Sequence, residues 1–65
     1  MREKFISYLT QIGLRYAIHY AKYEGVTLAL CELWVTQELG FQNEKDKQLI
    51  KMHYYHAPSR QGVAA

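Results

Sequence analysis

A small all-α domain is the fold the sequence predicts: three helices, with a long N-terminal one packed on a shorter helical hairpin. Three observations carry that expectation. Apolar residues recur at helical spacing from Phe5 to Tyr23. Gly25, Gly40 and Pro58 stand where successive periodic runs end. No two stretches alternate in the manner of strands able to pair with each other.

The first helix is expected from about Arg2 to Glu24. Phe5, Leu9, Ile12, Tyr16, His19 and Tyr23 form a heptad-like stripe, and Ile6, Gly13, Leu14, Ala17 and Ala21 lie beside it. The resulting apolar arc covers about 200° of the helix, where a surface helix hides little more than about 100°. Such a helix needs two neighbouring surfaces. Gly13, Ala17 and Ala21 recur every fourth position, which lets another backbone come close. A two-fold homodimer through Gly13, Ala17, Tyr20 and Ala21 is therefore expected. Gly25 closes the helix, because glycine accepts the left-handed conformation required there.

The second helix starts at a Thr27 cap and carries Leu28, Cys31, Trp34, Val35 and Leu39 on one side, ending at Gly40. A strand over Val26 to Val35 competes, since valine, threonine and tryptophan suit sheets. Glu32 interrupts the alternation, however, and a lone strand would leave its backbone unpaired. The third helix opens on Asn43, with Glu44 and Asp46 in the first turn where the helix dipole favours negative charge. Its expected inner face is Leu49, Ile50, His53 and Ala57, and Pro58 stops it.

Size sets the remaining bounds. The 65 residues give room for one domain, expected over residues 1–57, with residues 58–65 a small, polar, flexible tail. A composition 49% hydrophobic and 22% charged excludes a disordered chain. A chain this short buries only about 60% of its unfolded surface, so a disulfide, a metal or association usually supports it. Cys31 is the lone cysteine, which excludes an intrachain disulfide and suits a buried thiol in a reducing compartment. No apolar run approaches the roughly 20 residues that span a membrane, and the first residues carry no long apolar stretch of a secretory signal. A cytoplasmic protein without membrane contact is expected.

Chemistry is sparse. No serine stands beside a base, no glycine-rich phosphate loop is present, and no carboxylates pair. His53 and His56 are three apart, but a zinc site needs three or four converging ligands. The sequence therefore predicts no enzyme, no cofactor and no metal. Six tyrosines in a chain of net charge +2 point instead to an interface, because tyrosine and arginine are enriched at binding hot spots. The expected function is a small adaptor or inhibitor, of the kind phage accessory proteins provide. It would bind a larger protein or complex through Tyr8, Arg15, Lys51, Tyr54 and Tyr55. The alternative is a helix-turn-helix-like regulator touching DNA through Gln42, Asn43, Lys45, Lys47 and Lys51. Against it, Glu44 and Asp46 occupy the same turn and would repel phosphates.

Overall fold

The computed structural model describes residues 1–40 and 43–58. The all-α class holds, and every described element is a helix: α1 Arg2–Gln11, α2 Leu14–Tyr23, α3 Leu28–Leu39 and α4 Glu44–His56. Helix α1 packs on α2 and α3, and α4 packs on α2 and α3. The expected tail lies outside the described residues beyond Pro58.

The single long N-terminal helix is in fact two, broken at Gly13. That glycine has φ 147° and ψ 168°, a backbone region closed to most side chains. The N–H groups of Ile12 and Gly13 both turn to the carbonyl of Tyr8, at 2.9 and 3.0 Å. The chain then folds α2 back on α1. The ring of Tyr8 stands edge-on to those of Tyr16 and Tyr20, with centroids 5.2 and 4.8 Å apart. In an unbroken helix Tyr8 and Tyr20 would be about 18 Å apart.

The break also rotates which residues face inward. Phe5 and Leu9 are buried on α1, but the stripe stops there, and Ile12, Tyr16 and Tyr23 are exposed. On α2 the buried set becomes Ala17, Ile18 and Ala21. The chain itself takes up most of the face expected to self-associate through Gly13, Ala17, Tyr20 and Ala21. Ala17 and Ala21 are fully covered by the chain's own core, and Tyr20 packs on Tyr8. A Cβ added at Gly13 would meet nothing within 4 Å, so no backbone approaches closely there. Gly13 serves a corner rather than a close crossing.

Local signals set the other boundaries as expected. Helix α2 ends in a Schellman motif: Val26 N–H reaches the Ala21 carbonyl at 2.9 Å, and Gly25 N–H the Lys22 carbonyl at 3.0 Å. Gly25 supplies the positive φ, and Val26 and Ala21 are both buried. The Thr27 hydroxyl accepts the Leu30 N–H at 3.3 Å and caps α3. Asn43 Oδ1 accepts the Asp46 N–H at 2.9 Å and caps α4.

Phe5, Ile18, Val35, Cys31 and Ile50 are the largest fully buried side chains, drawn from all four helices. Trp34 tilts against Phe5 with centroids 5.5 Å apart. Burial pushes the Cys31 thiol up to about 11, with Glu32 adding a smaller push, so it stays protonated and unreactive near neutrality. Two further residues expected inside, on α3 and α4, are not: Leu39 and Leu49 are exposed. Leu30 and Leu33 are exposed as well, so α3 is apolar on both its inner and outer sides.

Candidate functional site

Two of the tyrosines assigned to a partner hold the fold together. The Tyr54 hydroxyl donates to the Val26 carbonyl at 2.8 Å, and the Tyr54 carbonyl accepts Lys22 Nζ at 2.8 Å. Lys22 Nζ also sits 5.0 Å from the centre of the Tyr54 ring. Desolvation holds the Tyr54 phenol above its ordinary range, with Cys31 and Tyr55 adding to it. Tyr54 thus ties α4 to the α2–α3 turn. Tyr54→Phe should leave the Val26 carbonyl without this donor and cost about 1 kcal/mol. In a domain this small a thermal melt should show a loss of about 4–8 °C. An unchanged melt would show that water replaces the hydroxyl. Tyr8 is likewise half-buried, held by Tyr16 and Tyr20.

Arg15 is exposed. Lys51 and Tyr55 project roughly 100–200° around α4 from His53 and His56, whereas Arg15 shares a cleft with those histidines. The five assigned residues therefore do not form one surface.

The residues expected to read DNA are no better gathered. Gln42 lies outside the described residues. Asn43 spends its side-chain oxygen on capping α4. Lys45 and Lys47 lie about 200° apart around that helix, and Lys47 and Lys51 are half-buried.

A different surface emerges on the outer side of α2. Arg15, His19, Met52, His53 and His56 line an open cleft of about 320 Å³ between α2 and α4. Arg15, Tyr16 and His19 belong also to a depression of about 480 Å³ at the start of α2. Tyr16, His19, Tyr20, Tyr23 and Pro58 line a third, of about 290 Å³. His19 is common to all three, so they meet along one helix. Spacing explains the layout. On α2, residues 15, 19 and 22 share a side facing α4, and residues 16, 20 and 23 share the next side round. A basic row and a tyrosine row thus run in parallel, with α4 adding His53 and His56 to the basic one.

Electrostatics at the centre is one-signed. Desolvation lowers the His19 imidazole below its ordinary range, and Arg15, His53 and Lys22 lower it further. No side-chain hydrogen bond or ion pair links Arg15, His53 or His56 to another described residue. His19 has a consequence for stability. A lowered folded value means that the unfolded chain takes up a proton first as pH falls. Stability is therefore full above the ordinary histidine value of 6.5 and declines as pH drops through it. Melting temperature should fall between about pH 7.5 and pH 5.5, and His19→Gln should flatten that fall. A melt independent of pH in this window would contradict the arrangement.

Metal binding finds no support in the geometry. Among the described residues, no group of three or more His, Cys, Asp or Glu side chains could hold a metal ion. Among them, too, no helix is long and apolar enough to cross a membrane. The sequence pattern sets His19 in the apolar stripe and His53 on an inner face, and weighs His53 and His56 as metal ligands, but it does not join the three histidines to Arg15. The visible signal was their spacing, Arg15–His19 and His53–His56, each on one helix side. Compared with family models, curated proteins and solved structures, the sequence and fold match none.

Proposed function

We propose that this chain is a non-catalytic interaction module that docks on a larger protein through the outer face of α2 and the adjoining end of α4. One observation carries the reading: three depressions meet at His19, with a basic row on one side and exposed tyrosines on the other. Tyr16 and Tyr23 offer rigid, amphipathic anchors, the residue type that dominates interface energetics. Arg15 and the histidines favour an acidic segment of the partner and steer its approach. The mechanism is occupancy: a small domain covers a surface that its partner otherwise uses. A reducing, cytoplasmic setting suits the lone buried thiol. Homodimerisation is not proposed, because the chain itself fills the face to which it was assigned.

Affinity capture from native cells tests the assignment by comparing variants. Arg15→Glu with Tyr16→Ala should lose the partner, at least tenfold, or about 1.4 kcal/mol. Tyr55→Ala with Lys51→Gln should retain it, as should the joint replacement of Lys45 and Lys47 by glutamine. Retention by the first pair and loss with either of the others would overturn the reading.

A further inference from the structure

We propose that Arg15, His19, His53 and His56 form a receptor for a phosphate monoester in the cleft between α2 and α4. The four side chains come from two helices and converge on one open space of about 320 Å³. That is ample for a phosphoryl group and the first atoms of its ester. None of the charged groups facing His19 is acidic: Arg15 and Lys22 come from its own helix and His53 from α4. Arg15 and His56 are exposed and make no side-chain hydrogen bond or ion pair with another described residue. Their donors remain available to an incoming anion.

The donor set discriminates between anions. A guanidinium offers two parallel N–H groups to two oxygens, and each imidazole offers one N–H more. A carboxylate brings two oxygens and a single charge. A phosphate monoester has three free oxygens and a charge of about −1.5 to −2 near neutrality.

The neighbouring tyrosines suggest the source. Tyr16 lines the two depressions that adjoin the cleft, and His19 is common to all three. A phosphate carried on an extended peptide would place its flanking residues over Tyr16 and Tyr20. A phosphorylated side chain of the docked protein is therefore the favoured source, and in this respect the inference rests on the docking reading. The phosphoryl site itself does not.

Histidine NMR signals provide the test, since the protein has only these three. Two probes are added at constant ionic strength: inorganic phosphate, and a short neutral peptide bearing one phosphotyrosine. Both should shift all three histidines along one saturable curve while the Trp34 indole stays still. The peptide should bind about tenfold tighter if tyrosine contacts add near 1.4 kcal/mol. Equal affinities would retain the site and assign it to free phosphate. Arg15→Gln and His56→Gln, both at exposed positions, should each weaken binding at least fivefold, the scale of one charge-assisted contact. Shifts that chloride reproduces, or that both variants leave unchanged, would overturn the proposal. Failure of partner capture with this titration intact would remove the docking reading alone.

Discussion

Phe5→Ala is expected to unfold the domain at ambient temperature or leave it barely folded. Phe5 is fully buried, and its ring lies against Trp34, joining α1 to α3. Truncating a buried phenylalanine costs about 3–5 kcal/mol, because the cavity collapses only in part. At about 0.05–0.15 kcal/mol per residue, a domain of this length holds only roughly 3–10 kcal/mol in total. One substitution therefore removes most of the available stability. Circular dichroism should show lost helix, and Trp34 emission should shift to the red as the indole meets water. A variant that melts within a few degrees of the parent would show that Phe5 is not a core residue.

Gly13→Ala should both destabilise the monomer and redirect the chain. A non-glycine residue held at φ 147° carries about 1–3 kcal/mol of strain. Alanine also favours the helix by about 1 kcal/mol over glycine. The relaxed alternative is a continuous helix through residues 12 and 13. That opens α1 away from α2 and exposes Phe5 and Leu9. Those side chains then regain cover only from the core of a second copy, which is domain swapping at a hinge. Light scattering on the variant should record twice the 7.7 kDa mass of the chain. A monomer with an unchanged melting temperature would show that the corner does not depend on glycine.

The corner also shows which parts of the fold could be read from sequence. Thr27, Gly40, Asn43 and Pro58 bound their helices through contacts within a few residues, so their meaning is local. Gly13 is different. It sits between two good helical runs, and glycine in a helix costs only about 0.5–1 kcal/mol. Whether the chain continues or turns there depends on what the turn gains. The gain is tertiary: Tyr8 meets Tyr16 and Tyr20, and Ala17, Ile18 and Ala21 enter the core. Neither is visible in a linear pattern.

The same turn decides the candidate site. With an unbroken helix, the heptad stripe takes Tyr16, His19 and Tyr23 inward, and they read as core. Once the phase changes after Leu9, Tyr16 and Tyr23 face outward and His19 is only half-buried. Arg15 was legible as an interface residue because its type alone suggested it. His53 could not be joined to it from sequence, since α2 and α4 meet only through tertiary contacts: the shared core that holds Ile18 and Ile50, and the Lys22 bond to the Tyr54 carbonyl. Tyr54 carries a structural role that was hidden for the opposite reason. An aromatic residue near a helix end looks available until its hydroxyl finds the Val26 carbonyl, 28 positions earlier.

Everything proposed for the outer face of α2 depends on the reversal at Gly13. Proton–proton contacts between the rings of Tyr8 and Tyr20 in the native chain test it most directly. Strong ring-to-ring cross-peaks are expected, because the centroids are 4.8 Å apart. Their absence, together with unbroken helical cross-peaks from residue 10 through residue 16, would contradict the fold and the surface built upon it.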